Sequence, residues 1–269
     1  YSVDGAASLY LYDGQQVHFA FDTASGNIAM TVNGTTYAMG KELRLCRHQT
    51  SGGSALKIAQ SNRPNNLYPG DLELVARSSG NAYKLYPIVH VYIEYYLYGV
   101  VPYEMSSSWP IEALKAQSVA ARTYTLNRMN GRGSYIYDLV DTSSDQVYNG
   151  YVGSETNATR AVDATRGIVI MNDGKLSGTY YTASNGGQTE AVANIWGSKL
   201  YPYLGVKDDP FDLANPSTNK RKLTVYGSFN ASSQNSTLKS LLTSRAQGIY
   251  GSGVSIRSIN SITPHTPKY

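Results

Sequence analysis

Glu104 lies in the run Pro102-Tyr103-Glu104-Met105, followed by Trp109, Pro110 and a stretch of small residues whose polar side chains are Lys115, Gln117 and Arg122. A carboxyl group among Tyr103, Met105 and Trp109 is expected to be poorly solvated, which disfavours its ionised form and suits it to general-acid work. The plainer reading is a carboxylate accepting backbone N–H groups at the start of a helix. That helix begins near Trp109, downstream of Glu104, whereas Glu112 stands where a helix-start charge belongs.

Lys115 and Arg122, seven residues apart, fall near one face of this helix, and Gln117 shares another with Tyr124. The planar fork of Arg122 suits bidentate contact with carboxylate or acetamido oxygens. A buried ion pair with an acid such as Asp141 is the alternative for both cations. Ser184-Asn185-Gly186-Gly187 can bring backbone N–H groups against a ligand, because two glycines permit close approach, or can simply turn the chain. Serine-nucleophile chemistry is not expected. The histidines are His18, His48, His90 and His265, and a strand histidine such as His90 is more often packed than catalytic.

The elements that must carry these residues read as an α+β fold: mixed sheets around a central helix of small residues, with a β-rich N-terminal accessory segment. Residues 1–65 read as short strands punctuated at Asp13-Gly14, Asn33-Gly34 and Ser51-Gly52-Gly53-Ser54. From Tyr68 the pattern changes; Leu72, Leu74 and the run from Tyr86 to Val101 alternate or run apolar as buried strands do. After Pro102 the period becomes helical, with Pro110 in the first turn and Ala113, Ala116, Ala120 and Ala121 allowing close approach of other backbone. A second helix over Glu155–Thr165 stops at Gly167. Ile168–Met171 and Leu176–Thr182 flank Asn172-Asp173-Gly174 as a hairpin. A short helix near Thr237–Arg245 belongs to a polar tail. The domain reading is an accessory segment at 1–65, a core at 66–225 and a peripheral segment at 226–269.

Composition narrows the function classes. The formal charge of +4 is mild and dispersed, which argues against a nucleic-acid partner. No run of apolar residues is long enough for a membrane span. Cys46 is the sole cysteine, so neither an internal disulfide nor a multi-thiolate zinc site can form within the chain. The 24 tyrosines far outnumber the 4 phenylalanines and 2 tryptophans. Tyrosine offers an apolar face with a polar tip, which suits sugar rings, and it also suits half-buried strands.

Several blocks together resemble the SpoIID/LytB family of bacterial cell-wall proteins. They are Pro102–Met105, Ala113-Leu114-Lys115-Ala116-Gln117 through Ala121-Arg122-Thr123-Tyr124, Asp141-Thr142 with Gln146-Val147-Tyr148, Ala161-Val162 through Thr165-Arg166-Gly167, and Tyr180–Glu190 followed by Trp196-Gly197. They occur in the family's order over about residues 66 to 206. The resemblance implies a peptidoglycan lytic transglycosylase that cleaves between N-acetylmuramic acid and N-acetylglucosamine. Glu104 would act as acid and then as base, leaving 1,6-anhydro ends. It implies substrate-binding roles for Lys115, Gln117, Arg122, Gln146, Tyr148, Tyr181, Ser184, Asn185, Gly186 and Gly187, with the Ser184 loop lining the same cleft as Glu104. The alternative for Gln146 and Tyr148 is a turn stabilised by Asp141 and Thr142.

The family also contains wall-bound enhancers of an N-acetylmuramoyl-L-alanine amidase, so a non-catalytic enhancer or scaffold is the competing function. The implied partners are glycan strands and, in the second reading, a cell-wall amidase. The implied location is extracellular or the cell envelope. Some sporulation members carry His and Cys between the Asp-Thr and Gln-Val-Tyr blocks, a set suited to zinc. Here Ser143-Ser144-Asp145 stands there, so neither a metal nor a cofactor is expected.

Overall fold

The fold was read from a computed structural model that describes residues 1–3, 9–48, 54–61, 63–80, 82–129, 135–197, 201–214 and 236–256. The turn expected at residues 51–53, the boundary expected at 225 and the end of the tail lie outside the described residues. The chain divides into two compact units, Tyr1–Tyr181 and Thr182–Tyr269.

The first unit opens with β1 (Ser2–Val3), β2 (Val17–Asp22), β3 (Asn27–Val32), β4 (Thr35–Ala38) and β5 (Glu42–Cys46), followed by the long pair β6 (Gly70–Ser79) and β7 (Ala82–Val91). β2, β3 and β4 form one antiparallel sheet, and β1-β5-β6-β7 form another. At the Asn33-Gly34 turn both residues take positive φ, 50° and 78°, the combination that matches the strand twist of a tight hairpin. Alternation sets the faces: Ile28, Met30, Leu43, Leu45, Leu72 and Leu74 share one buried apolar cluster. Because β5 pairs with β6, Leu43 opposite Leu74 and Leu45 opposite Leu72, the segment 1–65 is tied into the main sheet. The expected boundary at residue 65 runs across this pairing.

The apolar run after β7 departs from the expected strand. It folds as α1 (Ile93–Tyr98) and α2 (Val101–Glu104), ahead of α3 (Ile111–Met129) and α4 (Asn157–Ala164). Leu97, Val100 and Val101 are fully buried against Leu114, Ala121, Ala158, Ala161 and Val162 in a second, helical core. Leu56 and Val89 pack against both cores. Pro110 precedes α3, and its carbonyl accepts from Ala113 and Leu114 N–H. α4 is closed at its start by a reciprocal Thr156–Thr159 capping box. β8 (Met171–Asn172) and β9 (Lys175–Leu176) are joined through Asp173-Gly174 as a short hairpin. The described sheets are all antiparallel, and α1 to α4 follow the two larger ones in sequence, as suits an α+β fold.

The second unit contains α5 (Val192–Trp196), ended by Gly197 in the left-handed conformation, α6 (Pro210–Leu213) and α7 (Ser236–Tyr250). α7 extends past the helix expected at Thr237–Arg245 at both ends. Among the described residues no helix is long and apolar enough to cross a membrane.

Candidate active site

α3 carries more polar than apolar side chains on its buried surface. Gln117, Ser118, Arg122, Thr123 and Thr125 are enclosed with Leu114 and Ala121. Ser118 and Thr123 donate to the carbonyls of Leu114 and Val119 one turn back, which satisfies their hydroxyls within the helix, while the one Thr125 hydrogen is shared between Ala121 O and Gln146 Oε1. Others bind the chain beyond α4, whose backbone lacks long sheet neighbours. Ile170 N–H donates to Thr123 Oγ1 (3.0 Å), Thr179 Oγ1 donates to Ala120 O (2.8 Å), and Asn127 Nδ2 donates to Ser177 O. The segment 168–181 is thus held along α3 by side chains, and it delivers Tyr181.

Arg122 does not face a ligand. Its side chain is 1% exposed and pairs with Glu94, itself 2% exposed, at 2.7 Å. The pair is bidentate, with Arg122 Nε 3.0 Å from Glu94 Oε1. Remaining donors go to Ile168 O and Val162 O, and Gly167 N–H completes Glu94 Oε1. The buried ion pair anticipated as the alternative is present, but its acid is Glu94 on α1 rather than Asp141. It clamps α1, α3, α4 and the turn after α4, and a guanidinium so enclosed reaches no substrate unless the core opens.

Glu104 ends α2. Gly99, between α1 and α2, admits the Gln146–Tyr151 segment: a Cβ at Gly99 would lie 2.5 Å from Tyr148 Cε2 and 3.0 Å from the Gly150 carbonyl carbon. Asn149 N–H donates to Gly99 O. Gly150, at φ +70°, has the same constraint, since a Cβ there would stand 2.8 Å from Leu67 O. This close docking brings Val147 N–H to Glu104 Oε1 at 3.1 Å. The Tyr181 hydroxyl also interacts with the Glu104 carboxylate. Burial, with the Glu104 charge adding to it, pushes the Tyr181 phenol well above its ordinary range, so it stays a proton donor. Neighbouring Tyr103 receives Asn66 Nδ2, which also donates to Asn149 O. Of the three apolar neighbours expected around Glu104, Trp109 is 52% exposed, while Met105 is partly buried against the helical core.

Behind Tyr181 stands Gln146, fully buried. Its Nε2 donates to Tyr181 (3.0 Å) and to Ala121 O (3.3 Å), while its Oε1 accepts from Thr125 (2.8 Å) and Tyr96 (3.2 Å). Burial likewise raises the phenols of Tyr96 and Tyr148.

The remaining candidates are placed as follows. Lys115 is partly exposed and pairs with exposed Glu112 at 2.7 Å. Gln117 is enclosed, and its Nε2 has no hydrogen-bond partner among the described residues. Tyr148 packs between Tyr68 and Tyr96 in the helical core with its hydroxyl enclosed. Asp141 and Thr142 do stabilise the preceding turn, accepting from Tyr148 and Asp145 N–H. Gln146 and Tyr148 thus stand behind the Glu104 surface.

Ser184, Asn185, Gly186 and Gly187 belong to the second unit. There Asp212 Oδ2 accepts from Ser184 Oγ (2.7 Å), Asn185 N–H (3.0 Å) and Gly186 N–H (2.7 Å), and Gly187 N–H donates to Asn185 Oδ1. The tight-turn reading describes this loop, because the N–H groups expected to meet a ligand are taken internally. These donors, Ser184 foremost, hold the Asp212 carboxyl below the usual carboxylate range.

Sequence reasoning missed Glu94, Tyr96 and the Val147 N–H. Glu94 had a signal, a charge within an apolar run; a backbone N–H has none.

Residues 81–172 match the family model described as Stage II sporulation protein. The chain is 43% identical over 114 residues to an uncharacterized protein of Brachyspira hyodysenteriae, covering 42% of this chain and 31% of that one. It is 44% identical over 116 residues to the amidase enhancer of Bacillus subtilis, covering 43% of this chain and 15% of the relative. It is 30% identical over 161 residues to the Stage II sporulation protein D of B. subtilis, covering 53% and 46%. The matches thus span less than half the length of each of these curated relatives.

Proposed function

From the premise that the chain belongs to the SpoIID/LytB family through residues 81–172, we propose that it acts on the bacterial cell wall as a peptidoglycan lytic transglycosylase with Glu104 as its acid/base. The observation that carries this reading is the Glu104 carboxyl, half-buried and held by Val147 N–H, with no cation in ion-pair distance among the described residues. A carboxyl held by neutral donors can gain and lose a proton as the reaction proceeds.

In the proposed reaction protonated Glu104 gives its proton to the oxygen linking N-acetylmuramic acid to N-acetylglucosamine, and that glycosidic bond breaks. The resulting carboxylate takes the proton of the muramic acid C6 hydroxyl as its oxygen bonds to the anomeric carbon. A 1,6-anhydro ring forms, and Glu104 returns to its starting state without a water-activating second carboxylate. Of the two cations on α3 considered for substrate, Lys115 is the accessible one. Such a protein works outside the cell or in its envelope.

The likeness to a protein named amidase enhancer favours a second reading, a non-catalytic partner of a cell-wall amidase. Mass spectrometry of purified glycan strands after incubation separates the two. Anhydro ends made by the wild type and lost in Glu104→Gln support the enzyme. Intact strands together with faster hydrolysis by an added amidase support the enhancer.

A further inference from the structure

We propose that α1 carries a second carbohydrate-binding surface, a row of tyrosine rings separate from Glu104 that takes a glycan strand of N-acetylated sugars. The inference rests on the cell-wall reading for the identity of the strand and not on the transglycosylase chemistry. Glu94, Tyr96 and Leu97 face the core from α1, while Tyr92, Tyr95 and Tyr98 stand three residues apart on its other side. Their rings follow one another at centroid distances of 6.0 and 5.7 Å, and Tyr151 continues the row 5.5 Å beyond Tyr98. None of these pairs is stacked face to face. Their planes cross at 77°, 53° and 44°, whereas Phe21 and Tyr83 close on each other at 4.2 Å and 12°.

Tyr92 is 57% exposed and the other three rings are half-buried. Among the described residues only the Tyr98 hydroxyl of this row is engaged, donating to Asp163 Oδ1 (2.6 Å), which Arg166 also holds (2.9 Å). Beside the row, the Arg47 guanidinium stands 6.0 Å from the centre of the Tyr95 ring, anchored through its backbone N–H on Asp71 and through Nη1 on Pro69 O. Each sugar of a glycan strand presents a C–H face to pack on a ring and hydroxyl and acetamido edges to meet the phenol tips. Stem-peptide carboxylates on the strand suit Arg47. An apolar partner helix laid here would instead bury three hydroxyls without partners. Tyr151 lies four residues after Val147, whose N–H holds Glu104. A strand held along the row is therefore kept at high local concentration around that carboxyl.

The test measures binding of soluble, uncross-linked glycan strands by calorimetry, in the Glu104→Gln background so that the strands stay intact. Tyr92→Ala should weaken binding about fivefold, and Tyr92→Ala combined with Tyr95→Ala about thirtyfold. Tyr92→Phe combined with Tyr95→Phe keeps the rings and should stay within about threefold of the parent. In protein with labelled tyrosine rings, the Tyr92 and Tyr95 resonances, assigned by their loss in the Phe variants, should shift as strands are added. Tyr92 is largely exposed, so its single variant carries the test even if the double Ala variant fails to fold.

Strand binding by Tyr92→Ala equal to that of the parent, ring resonances that stay in place at saturation, or a parent that binds no strands overturns the proposal. Unchanged strand binding with lost stimulation of an added amidase would make the row a protein contact and overturn it equally. A wild type that leaves no anhydro ends would sink the transglycosylase reading and still leave the tyrosine row to be judged by binding.

Discussion

Glu94 and Glu104 occupy opposite ends of the short α1–α2 pair, and both are gripped by elements that α3 holds in place. Glu94 is sealed, with a guanidinium across both oxygens and a backbone N–H on one of them. Glu104 is partly open and meets neutral donors, Val147 N–H and Tyr181. The first arrangement fixes a charge permanently, because removing either partner strands the other in the core. The second holds the carboxyl by a backbone N–H and leaves it partly open. Of two glutamates in one helical stretch, one is locked in an ion pair and the other, proposed above as the acid/base, is not, and the partner type rather than the residue type distinguishes them.

The comparison breaks most directly at the sealed pair. Arg122→Met leaves Glu94 buried without its cation and should cost about 3–5 kcal/mol, a large share of a domain's typical stability. Urea denaturation measures it, and a loss below about 1 kcal/mol would mean that the Glu94–Arg122 clamp is dispensable. Glu104→Gln should do the reverse: cleavage falls by about a hundredfold or more while the denaturation midpoint stays near wild type. A variant of Glu104 that chiefly unfolds the protein would erase the distinction.

Gly99→Ala tests the docking on which the Glu104 site depends. The added carbon would press on the Tyr148 ring and the Gly150 backbone, with a cost of about 1–3 kcal/mol typical of overpacking. Cleavage should fall as well, because Val147 is carried on the displaced segment. Full activity alongside the stability loss would show that the Val147 N–H does not need its present position.

Much of this was legible in residue types and spacing. The small-residue helix entered through Pro110, the turn at Gly167 and the Asp173-Gly174 turn followed from local chemistry, whereas Glu104 stood out through the motif that carries the family resemblance. What was not legible depended on contacts distant in sequence. Ile93–Tyr98 is rich in Tyr and apolar residues and reads as strand, yet it coils as a helix that buries Leu97 and sets Glu94 beneath Arg122. Arg122 announced its need for a partner without naming it. The roles of Gln146 and Tyr148 were displaced by one layer: both belong to the support behind the site. Val147 contributes through its backbone, which no side-chain pattern reports.

The buried tyrosines sharpen the comparison at high pH. Tyr96, Tyr148 and Tyr181 have folded-state values raised chiefly by burial above an unfolded value near 10. Their protonated forms favour the fold, so the contribution is fully present below about pH 10 and is lost progressively as pH rises toward the folded values. Stability should therefore decline on the alkaline side, with part of the tyrosinate absorbance appearing only as the protein unfolds. Complete, non-cooperative titration of every tyrosine near pH 10 in folded protein would contradict this enclosure.

The smallest expected effect is that of metal removal. Asp145 is the one acidic side chain in the Ser143-Ser144-Asp145 block, the segment in which the sequence resemblance raised the question of a zinc site. Its carboxylate accepts Val140 N–H (3.0 Å) and the Tyr124 hydroxyl (3.3 Å) and pairs with Arg128 (2.7 Å). A metal taking Asp145 would have to displace a cation and two hydrogen bonds, and the neighbouring serines are poor zinc ligands. The proposed reaction moves protons between Glu104 and two sugar oxygens and does not use water as nucleophile. Prolonged chelation should therefore leave the cleavage rate unchanged within about twofold, a small effect on the scale set by Glu104→Gln. Loss of activity on chelation, restored by zinc alone, would place a metal in the reaction and end the contrast drawn between a glutamate held by a cation and one held by neutral donors.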